Sequence, residues 1–190
     1  MRPLTDLVTI KLLPQAEDID DTTLNFLVSG VSIAIGNYCN QSFYMTTYDE
    51  KHSGDNQRDL YVNELPVKNV DYVQYLKVQP PETHPSNEVE FTPITGEVRW
   101  SSGIEIKYFT DGWENINVHY TAGYDEIPKD LQMACATWVL ATYLQQQNLA
   151  GLKNESLQEY SYTNAEEDVN TMPDSVRYTL DSYRVLGRQY

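Results

Sequence analysis

One short segment of the sequence could place two carboxylates beside an aromatic ring. The segment is Asp111-Gly112-Trp113-Glu114, and a carboxylate pair is the arrangement with which most glycosidases cleave sugars. Asp-Gly is also a favoured residue pair at a tight hairpin turn. In a chain with 28 Asp and Glu residues, acidic pairs arise easily. We therefore interpret the segment as a turn, and a carboxylate-based hydrolase is the less favoured alternative.

The histidines and cysteines do not form a recognisable catalytic pattern. His52, His84 and His119 lie far apart in the sequence, and we interpret them as surface or strand residues. Cys39 and Cys135 each lie in an apolar stretch with helical spacing, which predicts buried, unreactive thiols without a disulfide. No G-x-S-x-G elbow, phosphate-binding loop or G-x-G-x-x-G motif is present. We predict no enzymatic activity, no cofactor and no metal ion.

The charge balance limits the kinds of partner. The formal net charge is −15, so an exposed surface of this chain repels nucleic acid phosphates. No apolar run approaches the roughly 20 residues that span a bilayer, and no apolar signal core follows the first residues. We expect a chain that stays in the cytoplasm where it is made, without specific DNA binding and without a membrane.

Two long helices are predicted to position the rest of the chain. The first runs from about Thr22 to Cys39, and its apolar residues follow the i, i+3, i+4, i+7 spacing of one helix face. Its stripe is Leu24, Leu27, Val28, Val31, Ile35 and Tyr38. The second begins near Pro128, a residue suited to a first helical position. Its stripe is Leu131, Ala134, Cys135, Trp138, Val139 and Thr142.

Residues 43–124, between these helices, show the alternation and turn signals of β-strands. The predicted strands are Phe43–Asp49, Asp59–Val62, Val67–Leu76, Glu88–Phe91, Glu97–Trp100, Ile104–Phe109 and Asn115–Tyr120. Residues 79–85 contain three prolines, and proline lacks the backbone donor that a sheet interior needs. We predict a surface loop there.

The last part of the chain is first acidic and then helical. Residues 154–174 are polar and carry no basic residue, which predicts a long loop or arm that orders on assembly. The arm residues of interest are Glu155, Glu159, Tyr160, Tyr162, Glu166, Glu167 and Asp168. From Pro173 to Gly187 a last helix is predicted. It has Val176, Leu180 and Tyr183 on one side and Arg177, Arg184 and Arg188 toward its end, where cations suit the helix dipole.

These elements predict an α+β chain that is mainly a helical bundle. Two long helices and the C-terminal helix would form the core, with a β-rich insert at residues 43–124 between the long helices. The expected division is a core of residues 1–153, followed by the acidic loop and C-terminal docking helix at 154–190.

Several segments, in this order, resemble those of bacteriophage head–tail connector (adaptor) proteins of long-tailed phages. The most specific is Tyr120-Thr121-Ala122-Gly123-Tyr124 before Ile127-Pro128. The other segments that resemble the family are residues 21–40, 41–44, 60–67, 117–124, 127–131 and 152–157. The lead-in before the first helix, interrupted by Pro14, departs from the family pattern.

The resemblance implies a structural virion protein of the neck, assembled in the host cytoplasm. It implies a homo-oligomeric ring of about a dozen copies below the portal protein, bound on its other side by the next neck or tail-completion protein, with DNA passing through the channel. Under this resemblance the C-terminal helix residues named above dock on the portal, and the arm assists assembly. The alternative function is an acidic inhibitor or DNA mimic, which needs carboxylates spaced like phosphates on one face.

Overall fold

The computed structural model describes residues 2–78, 80–102, 105–152 and 172–185. Within that part of the chain it contains four α-helices and two antiparallel sheets, with 30% of the residues in strands. The prediction of a mainly helical bundle is therefore wrong, and the fold is α+β with a large β component. Each short apolar run between residues 43 and 124 looks like a minor strand when it is taken alone. Once the strands pair, however, their buried side chains form a separate hydrophobic core.

The elements follow one another in a simple order. The helices are α1 (Leu7–Lys11), α2 (Asp21–Cys39), α3 (Lys129–Leu152) and α4 (Asp174–Asp181). The strands are β1 (Thr46–Gly54), β2 (Asp59–Tyr61), β3 (Val67–Tyr75), β4 (Glu82–Pro85), β5 (Val89–Thr92), β6 (Glu97–Ser102), β7 (Glu105–Ile106) and β8 (Gly112–Ala122). A 3₁₀ turn, Ser86–Glu88, lies between β4 and β5.

The chain divides into two compact units. Among the described residues, 2–39, 127–152 and 172–184 form a helical unit, and those between 40 and 126 form a sheet unit. The described helices all lie in the helical unit and the described strands all lie in the sheet unit.

The helical unit is built on α2 and α3. Asp20 caps α2, because its carboxylate accepts the Thr23 N–H at 2.9 Å. Five residues of the predicted stripe of α2 are buried, namely Leu24, Leu27, Val28, Val31 and Ile35, whereas Tyr38 is half-exposed. On α3 the buried residues are Leu131, Ala134, Cys135, Ala136 and Val139, whereas Trp138 and Thr142 remain half-exposed. α4 and α1 pack against this pair.

The sheet unit contains a four-stranded sheet of order β1-β8-β3-β4 and a three-stranded sheet of order β2-β6-β5, with β7 added on β6. The central strand β8 pairs with β1 and β3 over most of its length. The core of this unit includes Val67, Val70, Val73, Val98, Trp100, Phe109, Ile116, Val118 and Tyr120. The alternation of buried and exposed residues along β8 is the sequence pattern that places these side chains inside.

Three strand predictions need correction. β1 begins at Thr46 and extends to Gly54, so it runs past the predicted end at Asp49. The predicted strand Ile104–Phe109 is reduced to Glu105–Ile106 among the described residues. Residues 82–85 form β4 rather than a loop, and β4 pairs with β3 alone. An edge strand needs backbone donors on one side only, which is why Pro85 is tolerated at its end.

The C-terminal helix is shorter than predicted. α4 ends at Asp181, and Ser182 and Tyr183 close it with N–H bonds to Thr179 and Leu180 carbonyls. These i→i−3 bonds tighten the last turn and stop the helix. Gly187 lies outside the described residues.

Candidate functional site

The residues predicted to dock on the portal divide into two groups. Val176 and Leu180 are buried, with 1% and 0% of their surface exposed, and they belong to the core of the helical unit. Arg177 and Arg184 are exposed. The prediction assigned both groups to one contact surface, but only the exposed side of α4 is available to a partner. Tyr178, exposed by 85%, also lies on that side.

Tyr38, Asp181 and Arg184 form a polar cluster where α4 meets the end of α2. The Tyr38 hydroxyl donates to Asp181 Oδ1 at 2.5 Å. The hydrogen bond to Asp181 raises the pKa of Tyr38. The Arg184 guanidinium carbon lies 5.4 Å from the centre of the Tyr38 ring, which is cation–π range. The cluster therefore fixes the position of one of the exposed basic side chains.

Tyr183 anchors the end of α4 to the first turn of α3. Its hydroxyl lies 2.7 Å from both carboxylate oxygens of Asp130. Among the described residues, Arg177 forms a long ion pair, 3.7 Å, with exposed Asp174, and such pairs contribute little to stability. The Arg177 guanidinium is thus accessible to an acidic group of a partner.

The remaining predicted site residues lie outside the described part of the chain. They are Arg188 of the docking helix and the arm residues Glu155, Glu159, Tyr160, Tyr162, Glu166, Glu167 and Asp168. The expected boundary between core and docking segment, at residues 153 and 154, lies there too. The arm and the boundary stay predictions.

The sheet unit contains a half-buried carboxylate cluster that the sequence reasoning did not find. Tyr120, fully buried on β8, donates its hydroxyl proton to Glu50 Oε2 at 2.6 Å and accepts the Glu64 N–H at 3.2 Å. His52 Nε2 lies 3.0 Å from Glu50 Oε1. The signal was present: Tyr48, Glu50 and His52 alternate along β1 and so share one face. The predicted strand ended at Asp49, one residue before Glu50 and three before His52.

The two carboxylates of this cluster respond to burial in opposite directions. For Glu50, burial opposes ionisation, but hydrogen bonds from His52, Tyr120 and Asn63 together lower its pKa. For Glu64, burial raises the pKa and the nearby Glu50 charge adds to this, against one hydrogen bond from the Ser42 N–H. The Tyr120 hydroxyl therefore joins the Glu50 carboxylate to the backbone of Glu64, whose own carboxyl group has a different acidity. The cluster ties β8 to β1 and to the segment before β3, which indicates a structural role.

His84 has closer acidic neighbours than the sequence interpretation recognised. Its Nδ1 lies 2.8 Å from Glu88 Oε2, four residues later, and its Nε2 lies 3.2 Å from Glu82 Oε1. The ring also packs on Trp100, with 3.9 Å between centroids. Among the described residues, no group of three or more His, Cys, Asp or Glu side chains could hold a metal ion.

Cys39 and Cys135 are buried free thiols, as predicted. Burial raises the pKa of each thiol to about 11, and for Cys39 the charge of Asp181 adds to the effect. A thiol with so high a pKa is a poor nucleophile at neutral pH. The structure therefore agrees with an inert, space-filling role for both.

Asp111 and Glu114 lie at the start of β8 and do not form a hairpin turn between paired neighbours, because β8 pairs with β1 and β3. Trp113 is exposed by 74%. The bend is stabilised by Asn115, whose side chain accepts the Gly54 N–H at 2.9 Å and donates to the Thr110 carbonyl at 2.8 Å. These contacts hold two segments of backbone together at the start of the strand.

Backbone geometry explains why the segment Tyr120-Thr121-Ala122-Gly123-Tyr124 contains a glycine. Gly123 has φ +113°, and a Cβ there would lie 2.4 Å from the Tyr44 carbonyl oxygen. Its N–H donates to the Pro66 carbonyl at 3.0 Å, and the Tyr124 N–H donates to the Phe43 carbonyl at 3.1 Å. Only glycine fits where the chain leaves β8 so close to the lead-in to β1.

No helix among the described residues is both long and apolar enough to cross a membrane. The exposed side of α4, where Arg177 and Arg184 lie among the exposed Asp174 and Asp181, is a feature that could bind another protein.

The fold is similar to solved structures of a gene transfer agent (GTA). A chain in the virion of the native GTA particle matches with a TM-score of 0.58 at 12% identity, over 98% of this chain and 92% of that chain. Chains in the neck of the empty particle, computed with C6 symmetry, and of the native particle, computed with C12 symmetry, each match with a TM-score of 0.55. Their identities are 12% and 13%, over 99% of this chain and 96% of theirs. No curated protein matches the sequence.

A family model described as head completion protein (HCP) matches residues 9–186. The match spans both compact units, and it confirms the resemblance to phage head–tail connectors that the sequence segments indicated. The chain belongs to the head completion protein family.

Proposed function

We propose that this protein is a structural head–tail connector of a phage or phage-like particle, located in the neck of the virion. The observation that carries the proposal is the family match over residues 9–186. The similarity of the whole fold to chains of the GTA virion and neck supports it. Its action is mechanical: it joins two assemblies by fitting between them, and no bond is made or broken.

The working form is a ring of identical subunits. The GTA necks with similar chains were computed with C6 and C12 symmetry, which supports a ring of about a dozen copies here. Such a ring needs a heterologous contact, in which one flank of a subunit fits the opposite flank of the next. One end of the ring would bind the portal protein and the other would bind the next neck or tail-completion protein.

The exposed side of α4 is the surface proposed to bind the portal. Its cations are Arg177, in a weak ion pair, and Arg184, held over the Tyr38 ring. Exposed Tyr178 adds a large aromatic surface between them, and Tyr and Arg are enriched in protein interfaces. The arm, residues 155–168, would order on neighbouring subunits as the ring forms.

The acidic balance fits a channel through which DNA passes. With a net charge of −15, the inner surface of a ring repels the phosphates, so DNA can move without binding. An acidic DNA mimic is less well supported, because several carboxylates are occupied within the subunit. Examples are Asp59 and Glu97, both paired with Arg99.

The test combines the purified protein with its portal and images the mixture by negative-stain electron microscopy. We expect rings that stack on one end of the portal. An Arg177→Glu/Arg184→Glu variant should keep its fold, since both side chains are exposed, and should bind the portal about tenfold less tightly or worse.

The matched control is Lys51→Glu/Arg58→Glu, which makes the same total charge change at two exposed positions of the sheet unit. It should bind the portal like the unmodified protein. Removal of residues 173–190 is a poorer test, because Val176 and Leu180 belong to the helical core. Equal portal binding by the double arginine variant and the unmodified protein would exclude α4 as the docking surface. Absence of any ring or portal complex would exclude the connector function.

A further inference from the structure

The two long helices carry no charged residue along almost all of their length. Residues 22–39 and 131–152 contain no Asp, Glu, Lys or Arg, in a chain of which 22% is charged. A helix on the surface of a soluble protein normally carries charged residues on its outer face. Here the outer face of α2 exposes Asn25, Phe26, Ser29, Gly30 and Ile33 instead. Exposed helix faces without charged residues are typical of a surface that another protein covers.

An apolar groove lies between α2 and α3 on one flank of the helical unit. Its volume is about 340 Å³. Its lining includes Phe26, Gly30, Ala34, Trp138 and Ala141. Phe26 is 79% exposed at its rim. We call it the α2–α3 groove. Its small residues leave room for a side chain from outside.

The residues that the structure describes do not explain why position 30 is a glycine. Gly30 lies in the middle of α2, where glycine is among the least favourable residues. A Cβ built there would meet none of the described residues within 4 Å. Glycine in such a place is explained when another chain approaches the backbone closely.

An exposed apolar pair lies on the other flank of the same unit. Val8 and Leu12 are 72% and 79% exposed. They are four residues apart and so lie on one face of α1 and its last turn. We call them the α1 pair. The buried Ile10 holds α1 against the unit from the opposite side.

The contacts of α1 fix the flank on which this pair lies. The Leu4 N–H donates to Ser32 Oγ at 3.0 Å, and Lys11 pairs with Asp21. Ser32 and Asp21 are eleven residues apart and therefore share one side of α2, since each residue turns about 100° around the helix. Gly30 and Ala34 are each two residues from Ser32, so they lie about 200° from it. The α1 pair and the α2–α3 groove thus occupy opposite flanks.

We propose that the α2–α3 groove receives the α1 pair of a second copy of this chain, and that this contact closes the ring. The inference rests on the proposed function and adds to it the subunit contact. Two copies with a net charge of −15 each repel one another, so a contact between them is favoured where neither surface carries carboxylates. Opposite, complementary flanks are what a heterologous ring contact requires.

The first test places a charge in the groove. Gly30→Glu should leave the subunit folded, because open space surrounds the position. It should raise the concentration needed for half assembly about tenfold or more, since the contact would bury an unpaired carboxylate. The matched control is Asn25→Glu, exposed on the same helix about 140° around the axis from Gly30. Circular dichroism checks folding, and mass photometry measures the oligomer.

The second test uses the two-sided nature of the contact. Leu12→Glu should block the α1 pair and leave the groove intact. At a concentration where the unmodified protein just assembles into rings, each variant alone should therefore stay monomeric. A mixture of Gly30→Glu and Leu12→Glu subunits keeps one good pair and one good groove. It should therefore form a one-to-one dimer that does not grow into a ring.

The outcomes separate the inference from the proposed function. Rings from the unmodified protein together with rings from both variants would overturn the contact and leave the connector function standing. Variant rings that fail only to bind the portal would assign the groove to the portal instead. Unchanged rings with a lowered melting temperature for Gly30→Glu would assign it to a segment of the same subunit. No ring from the unmodified protein, alone or with portal, would overturn the proposed function itself.

Discussion

Removal of one hydroxyl should weaken the sheet unit strongly. Tyr120→Phe keeps the buried ring and its stacking on Tyr48, whose centroid lies 5.5 Å away. It deletes the bond to the Glu50 carboxylate at 2.6 Å and the bond from the Glu64 N–H at 3.2 Å. The first is charge-assisted and half-buried, and contributes about 1.5–3 kcal/mol; the second contributes about 0.5–1.5 kcal/mol. We expect the free energy of unfolding to fall by about 2–4 kcal/mol.

The loss of unfolding free energy caused by Tyr120→Phe should become smaller as the pH falls. The folded-state pKa of Glu50 is lowered, so its bonds stabilise the fold above the unfolded-state pKa of the carboxyl. That contribution disappears as the pH falls through the folded-state pKa. The difference between Tyr120→Phe and the unmodified protein should therefore be largest near neutral pH and shrink in acid. Glu64, whose pKa is raised by burial, has the opposite effect on the pH dependence of the free energy of unfolding, and it has this effect in both proteins.

Urea unfolding followed by tryptophan fluorescence measures this difference. A Trp138→Phe background removes the tryptophan of α3, so that the signal comes from Trp100 and Trp113 of the sheet unit. Tyr48→Phe is the control, because it removes a hydroxyl from a half-exposed ring of the same stack. Its effect should stay within about 0.5 kcal/mol. Equal effects of the two substitutions, or a Tyr120→Phe loss that does not vary with pH, would refute the reasoning.

Three further predictions concern the backbone and the thiols. Gly123→Ala should lower the free energy of unfolding by more than about 2 kcal/mol, because its φ is positive and a Cβ would meet the Tyr44 carbonyl at 2.4 Å; a urea midpoint equal to the unmodified one would contradict this. Gly30→Ala should raise the stability of the isolated subunit by about 0.5–1 kcal/mol, since α2 is regular there and nothing is displaced; an unchanged or lower melting temperature would count against it. Cys39 and Cys135, with thiol pKa values of about 11, should react with a thiol reagent only on unfolding. Rapid labelling of the native protein would show that one of them is accessible.

The helices could be predicted well from the sequence because their signals are local. The stripe from Leu24 to Ile35 follows helical spacing, and Asp20 supplies a cap within three residues. The end of α4 was predicted too late: the helix stops at Asp181, where the Ser182 and Tyr183 N–H groups bond to the Thr179 and Leu180 carbonyls, and the Tyr183 side chain is held by Asp130, 53 positions away. Local spacing does not report such contacts.

The sheets were underestimated for the same reason. β4 pairs residues 82–85 with 72–75, and only that pairing reveals why a proline-rich segment forms an edge strand. The cluster around Tyr120 joins β1, β8 and the segment before β3, so its members are up to 70 residues apart. The family resemblance was recoverable, because Gly123 and its neighbours are fixed by backbone geometry that leaves a sequence trace. The proposed subunit contact could not be predicted from the sequence, because an uncharged helix face indicates an interface only when the structure shows that the face is exposed.

The central claim is that this chain completes the head and joins it to the tail. Its most direct test deletes this gene alone from the genome that encodes the particle, and examines the products by electron microscopy. The account predicts DNA-filled heads without tails, together with free tails, and recovery of joined particles when the purified protein is added. Normal tailed particles in its absence would contradict it.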